Sequence, residues 1–211
     1  MHQGPILEFT VDMVAGYNCF ELDQIIVHLS RRNTITELKL MNGYADGAFE
    51  QYAVPFSIYS LHQLTYLRLF DCYIKHKPTF SGFGSLTTLC LESVSIAPKT
   101  LLHLLSKSSL LKRVNLYLYY QDEDGHMPFI DLLECIHLVE HLKIGDSEWI
   151  KKCLIVEEAP QKLPTSLVHL KKVSFEMCFN SKHGLSIIAL LIKSSPNLER
   201  IKLGTLWYRR D

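Results

Sequence analysis

The 211-residue chain reads as an α/β fold, a leucine-rich-repeat solenoid with a curved parallel sheet of about eight short strands joined by helical or irregular returns. Three observations predict it. A phrase of leucine, two residues, leucine, one residue, leucine occurs at Ile35, Leu38, Leu40, again at Leu64, Leu67, Leu69, and again at Leu86, Leu89, Leu91. Looser copies follow at Leu111, Val114, Leu116; Val139, Leu142, Ile144; Leu170, Val173, Phe175; and Leu198, Ile201, Leu203, with an opening copy expected at Ile6, Phe9, Val11. Second, the last apolar residues of the copies fall at 11, 40, 69, 91, 116, 144, 175 and 203, giving steps of 29, 29, 22, 25, 28, 31 and 28 residues. Third, the apolar period changes from two inside each copy to three and four between copies, the switch from strand to helix.

Element by element, GPILEFTVDM gives the opening strand, and ELDQIIVHLS a return helix with Leu22, Ile25, Ile26 and Leu29 on one face. In LTYLRLFDC, Leu67 and Leu69 alternate with Tyr66, Arg68 and Phe70, so leucines point to one side and the others away. Cys72 stands three residues after Leu69, where this repeat class places Asn or Cys. A buried side chain there satisfies backbone groups as the chain leaves the strand, and Cys178 holds the same place after Phe175. PKTLLHLLSKS, MPFIDLLECIHL and KHGLSIIALLIKSSPN are three further amphipathic helices, the first opened by Pro98 and the last closed by Ser194, Ser195 and Pro196. The stretches 45–60 and 73–85 are richer in Pro, Gly and aromatics and are expected to be irregular or 3₁₀. Right-handed crossovers stack such strands into an arc, here an uneven one. Each repeat buries its leucines only against its neighbours, so the ends need caps. Both ends offer poor ones, the chain starting almost inside a strand and finishing four residues after Trp207, and both read as cut from a longer protein.

Lys plus Arg (22) equals Asp plus Glu (22), and nothing in that balance calls for nucleic acid or an anionic membrane. The six cysteines are scattered without a C-x-x-C pair, and the start MHQGPILEF lacks the basic and apolar regions of a signal peptide. The expectation is a reduced cytoplasmic or nuclear protein, a monomer, with no membrane span.

No catalytic or cofactor constellation stands out, and neither an enzyme nor a cofactor is expected. Gly82 and Gly84 precede a strand, where a dinucleotide site would need them after one. Cys135, His137 and His141 are close in sequence, but His137 ends a helix and His141 sits in a strand, so they should point apart and hold no metal. The run Asp122, Glu123, Asp124, Gly125 lacks the later Glu of a calcium loop.

Alternation instead assigns an outward, concave face. Its positions are Glu8, Thr10, Asp12; Glu37, Lys39, Met41; Tyr66, Arg68, Phe70; Thr88, Cys90, Glu92; Arg113, Asn115, Tyr117; His141, Lys143, Gly145; Lys172, Ser174, Glu176; and Arg200, Lys202, Gly204. Aromatics with guanidinium groups, the side chains that most often anchor interfaces, gather in the middle at Tyr66, Arg68, Phe70, Arg113 and Tyr117. The later strands lean basic through Lys143, Lys172, Arg200 and Lys202, and the first strand leans acidic. These nine residues are the candidate partner-binding set. The middle strands would anchor a protein partner, and the basic end would meet an acidic part of it.

The chain resembles the plant F-box, FBD and leucine-rich-repeat family. The resemblance is carried by GPILEFTVDM (4–13), LSRRNTITELKL (29–40) and, most specifically, VPFSIYSLHQLTYLRLFDCYIKHKPTFSGFGSLTTLCLESVSI (54–96), with its Pro-Thr-Phe-x-Gly-Phe turn. LVHLKKVSFEMCFNSKHGLSIIALLIKSSPNLERIKL (167–203) resembles the FBD segment, a strand, a helix, Ser-Pro-Asn-Leu-Glu and a last strand. The domain expected is therefore a single leucine-rich-repeat body over 1–211, in which 167–211 resembles the start of an FBD segment. The resemblance implies a substrate-recognition part of an SCF-type ubiquitin ligase (Skp, cullin, F-box), in which an F-box docks on the Skp adaptor and the repeats select a protein substrate. The F-box, with its Leu-Pro near the start, is not found in residues 1–30. Skp is then a partner only through an F-box encoded upstream. Otherwise the chain is a ligase-uncoupled adaptor or decoy, or a truncated product. A small ligand held in the solenoid, as in repeat F-box receptors, is disfavoured by the short arc.

Overall fold

The computed structural model describes residues 4–13, 19–43, 51–75, 80, 83–119, 129–145, 163–176 and 182–204. Gly82, the run 122–125, Cys153, Cys178 and the tail from residue 205 lie outside them. In chain order the elements are β1 (Glu8–Met13), α1 (Phe20–Arg32), β2 (Glu37–Asn42), β3 (Tyr52–Val54), a 3₁₀ turn (Phe56–Ser60), β4 (Tyr66–Phe70), β5 (Cys72–Ile74), β6 (Thr88–Ile96), α2 (Pro98–Lys107), β7 (Arg113–Tyr119), α3 (Phe129–Cys135), β8 (His141–Gly145), β9 (Lys172–Glu176), α4 (Lys182–Ser194) and β10 (Arg200–Gly204). The strands form one open, ten-stranded sheet in the order β1-β2-β4-β6-β7-β8-β9-β10, with β5 also on β6 and β3 on β5. Every pairing is parallel. The eight repeat strands are those the leucine phrase marks. The two extra ones, β3 and β5, fall where irregular returns were expected, beside the 3₁₀ turn that was also expected there.

β5 exists because the chain does not leave the sheet after β4. Asp71 adopts a left-handed φ of 51° and Ser93 one of 54°, so β4–β5 and β6 bend at equivalent places and continue. The Asp71 amide donates to Glu92 O at 2.9 Å, tying the two bends together. A non-glycine residue at positive φ needs local compensation. Buried Asn42 provides it through Nδ2, which donates to Asp71 Oδ2 at 3.1 Å and to Asp71 O at 3.3 Å. Cys72 follows as the sequence pattern requires. It is fully buried, its Sγ donates to Phe70 O at 3.2 Å, and burial pushes its thiol up to about 12.

The core lies between the sheet and its returns. Register brings like onto like: Leu38, Leu67, Leu89, Val114, Leu142 and Val173 form one row, and Leu40, Leu69, Leu91, Leu116, Ile144 and Phe175 the next. All twelve are at most 3% exposed. At about 1.5–3 kcal/mol for each large apolar side chain withdrawn from water, these two rows dominate the stability of the sheet. α1 turns Leu22, Ile26 and Leu29 onto this core, and α2 turns Leu101, Leu104 and Leu105. α2 starts at Pro98, whose missing N–H costs nothing in a first turn. Tyr59, Phe80 and Phe83 stack in the aromatic-rich return, with the Tyr59 and Phe80 centroids 4.5 Å apart. Ahead of the strands runs a second ladder. Thr65 Oγ1 donates to Thr36 O and Thr87 Oγ1 to Thr65 O, both at 3.0 Å. Further along, Lys112 and Lys171 bracket Glu140 at 3.7 and 3.2 Å.

β10 keeps register with β9, yet its apolar pair is open, Ile201 at 37% and Leu203 at 47% exposure. The alternation placed them inward, and inward they would be beside a further repeat. No described element covers them.

Candidate functional site

Parallel pairing over β1, β2, β4 and β6–β10, which keeps one register across β6 and β7 up to Glu92 and shifts only beyond it at Ser93, lines the outward residues up in three rows across the concave face. The first row reads Glu8, Glu37, Tyr66, Thr88, Arg113, His141, Lys172, Arg200. The second reads Thr10, Lys39, Arg68, Cys90, Asn115, Lys143, Ser174, Lys202. In the third, Asp12, Met41, Phe70, Glu92 and Tyr117 are in register, and Gly145, Glu176 and Gly204 continue it. All nine candidate residues stand on this one face. They do not form one cluster.

The acidic end is internally matched. Lys39 Nζ lies 2.6 Å from Glu8 and 3.4 Å from Glu37, and 5.5 Å from the centre of the Tyr66 ring. The hydrogen bond from Lys39 holds the Glu8 carboxyl below its usual value. In the middle, Arg68 pairs with Glu92 at 3.1 Å. Its Nε is buried and has no partner among the described residues. Burial pushes the phenol of Tyr66 and the thiol of Cys90 upward, and the two share a hydrogen bond. Tyr66, Arg68 and Phe70 are half-buried, so each presents a fixed edge to the concave side.

Tyr117 and Lys143 are turned inward along the face. Tyr117 Oη donates to Glu176 at 2.7 Å, and Lys143 Nζ reaches the other oxygen of that carboxylate at 2.9 Å. To do so the Tyr117 ring crosses β8, which it can because Gly145 has no side chain; a Cβ there would fall inside the ring. Lys143 also sits 5.8 Å from the ring centre. Burial alone would raise the Glu176 carboxyl. Hydrogen bonds from Tyr117 and Lys143 and the charges of Lys143 and Lys202 outweigh it and hold the group below its usual range.

Beside this triad lies a groove of about 330 Å³ over β6–β10, its surface almost wholly apolar; second-row Cys90, Asn115, Lys143, Ser174 and Lys202 line it along with the first-row groups Arg113, His141, Lys172 and Arg200. Among the described residues, no carboxylate lies within ion-pair distance of those four. Partial desolvation, then the charges of Lys172 and Arg113, push the His141 imidazole below its ordinary value. Composition did not single out His141, Asn115 or Glu176. The signal for them was the register itself, since each shares a row with a chosen residue. His137, by contrast, contacts Glu134 O at 3.0 Å in the turn after α3, and among the described residues no three potential ligands come together. Gly84 stands in the turn before β6, as its position in the sequence implies.

An extended parallel sheet with a polar, partly charged concave face and a leucine core defines a leucine-rich-repeat interaction module. Residues 7–152 match the family described as At1g61320/AtMIF1, LRR domain, and the chain belongs to that family. It is also 26% identical over 261 aligned positions to the F-box/FBD/LRR-repeat protein At1g13570 of Arabidopsis thaliana, an alignment that covers 97% of this chain and 58% of that relative's length. No solved structure matches. No helix among the described residues is long and apolar enough to cross a membrane.

Proposed function

We propose that the chain is the substrate-recognition body of an F-box/FBD/LRR-repeat protein in an SCF-type ubiquitin ligase, capturing a protein on its concave face. The observation that carries this reading is the shared register of the outward-facing positions across eight strands, which presents half-buried Tyr66, Arg68 and Phe70 beside Arg113 as one surface. Aromatic and guanidinium groups with one side already desolvated lose little freedom on binding, which is why they anchor interfaces. The likeness to a protein named for its F-box, FBD and repeats supports the ligase assignment. The body is one domain over 1–211, of which 167–211 is the start of an FBD segment. It works as a monomer in the cytoplasm or nucleus, without catalysis of its own, a cofactor or nucleic acid. Skp is recruited through an F-box encoded ahead of it.

The test has two arms. Proximity labelling in plant tissue with the wild type and with Tyr66, Arg68 and Phe70 all changed to Ala should lose a defined set of neighbours while the melting curve stays within a few degrees; an unchanged set would overturn the concave-face assignment. Precipitation of the Skp adaptor with the product of the full transcript separates a ligase subunit from a ligase-uncoupled adaptor.

A further inference from the structure

The first row of the concave face is charged with opposite signs at its two ends. Glu8 and Glu37 stand at one end, neutral Tyr66 and Thr88 in the middle, and Arg113, His141, Lys172 and Arg200 at the other. Adjacent strands are about 4.8 Å apart, so the last four groups span about 14 Å. Of the second-row charges beside them, Lys143 is answered by Glu176 and Arg68 by Glu92, whereas Lys202 has no ion pair among the described residues and adds to the basic end. Arg113, His141, Lys172 and Arg200 have no ion pair among the described residues either, and they line one groove.

We propose that this groove seats a short, extended acidic segment of a protein partner, lying across β7–β10 with its carboxylates on Arg113, Lys172 and Arg200, and that His141 takes up a proton as the segment binds. This rests on the protein-binding reading of the concave face, and it names the chemistry of one part of the partner. Four to five extended residues at about 3.3 Å each cover the row. A single small anion would reach two neighbouring side chains and leave the others unanswered. A long polyanion that followed the row past Thr88 would run onto Glu37 and Glu8. The charge order therefore selects an acidic block of limited length, followed by uncharged residues over Thr88 and Tyr66.

His141 is the group that senses occupancy. It faces Arg113 from β7 and Lys172 from β9, with Lys143 on its own strand, Glu140 just before it and Lys171 before β9. In the empty groove desolvation and these cations keep the imidazole neutral at pH 7. Carboxylates laid beside it reverse the local field and favour the imidazolium. A group protonated more readily in the complex than in the free protein makes binding tighten as pH falls, by up to about tenfold per pH unit for one linked proton. The window lies between the imidazole's value in the complex and its depressed value in the empty groove, and it closes at low pH where the peptide carboxylates begin to protonate.

The experiment is fluorescence anisotropy of a dye-labelled octaglutamate peptide on the full chain, with octalysine and an eight-phosphate single-stranded oligonucleotide as comparisons. Octaglutamate should bind, weaken with added salt and tighten between pH 7.5 and 6. Arg113→Ala and Lys172→Gln should each weaken it several-fold, and both together should abolish it, whereas Lys39→Ala should leave it unchanged. His141→Gln should bind like the wild type at pH 7.5 and lose the tightening at pH 6. Circular dichroism confirms that each variant is folded, and Lys172→Gln, which removes the charge and keeps most of the side chain, stands in if Arg113→Ala is not. No octaglutamate binding, equal binding of the oligonucleotide, indifference to Lys172→Gln, or a pH dependence that survives His141→Gln would each overturn the proposal. Octaglutamate failing to bind while neighbours are still lost with Tyr66, Arg68 and Phe70 would sink the acidic seat alone and leave the protein-binding reading standing.

Discussion

The two faces of the sheet are built on the same registers and obey different rules. On the core face one row runs Leu38, Leu67, Leu89, Val114, Leu142, Val173, so each repeat offers its neighbour nearly the same shape. One residue before each of these, on the concave face, the row runs Glu37, Tyr66, Thr88, Arg113, His141, Lys172. Stability in a solenoid is a sum of neighbour contacts, which rewards sameness. Recognition needs one place on the arc to differ from the next. The sharpest way to break this contrast is to make the same change on a covered and an uncovered core-side leucine. Leu89 is 0% exposed between two complete repeats, and Leu203 is 47% exposed on the last strand. Leu89→Ala should lower stability by about 2–5 kcal/mol in urea denaturation. Leu203→Ala should cost less than about 1 kcal/mol. Equal losses would mean that β10 is covered in solution, with its leucine as much part of the core as the others.

The second test asks whether any part of the concave face behaves like core. Tyr117, Gly145, Lys143 and Glu176 make a place there where side chains lock across three strands. Gly145→Ala must push the Tyr117 ring aside and break its bond to Glu176, costing about 1–2 kcal/mol. In a Tyr117→Ala background the same change should cost much less, because its nearest steric conflict is gone. A double-mutant cycle on thermal melting reads the difference, and additive losses would show that the glycine matters for another reason.

The same carboxylate gives a pH test of smaller size. Its folded value lies below the unfolded one of about 4.3. The stabilisation is therefore present above that value and is lost as pH falls through the folded one. Glu176→Gln should lower stability by about 1 kcal/mol or less at pH 7, and the difference should shrink as pH falls through the folded value. A difference between wild type and variant that stayed constant as pH falls until the carboxylate is protonated would mean that shape, not charge, holds the triad.

Legibility follows the same division. The leucine phrase predicted eight strands and their registers because burying a repeat against its neighbour admits one periodicity, and the outward rows then followed from alternation alone. The four helices were readable from their three-and-four spacing. β3 and β5 were not, because they depend on left-handed Asp71 and Ser93, and on Asn42 reaching a bend 29 residues away. Pairings of side chains across rows were equally silent. Tyr117 and Arg113 look alike as interface residues in the sequence, yet one is bonded to Glu176 two strands away and the other opens onto the groove. Nothing in the spacing says which lysine finds a carboxylate, since that depends on a glycine that lets a ring pass over it.

The smallest effect is also the most discriminating. Arg113 is exposed at the start of β7, and no described carboxylate pairs with it. If its charge serves the fold, Arg113→Ala should destabilise the protein. If it stands among Arg200, Lys172 and a reluctant His141 only to meet a partner, removing it relieves like-charge repulsion within the row. The expected outcome is a change within about 0.5 kcal/mol, with the sign towards greater stability at low salt and a difference that fades as salt screens the row. The imidazole of His141 should at the same time move up towards its ordinary value, because one of the two flanking cations that depress it is gone. Proton NMR titration of the ring in wild type and Arg113→Ala measures that shift directly. A ring that titrates identically in both would mean that the row is not one electrostatic unit. A ring that moves while the fold does not would mark the basic end as a surface shaped by what it meets and not by what it holds up.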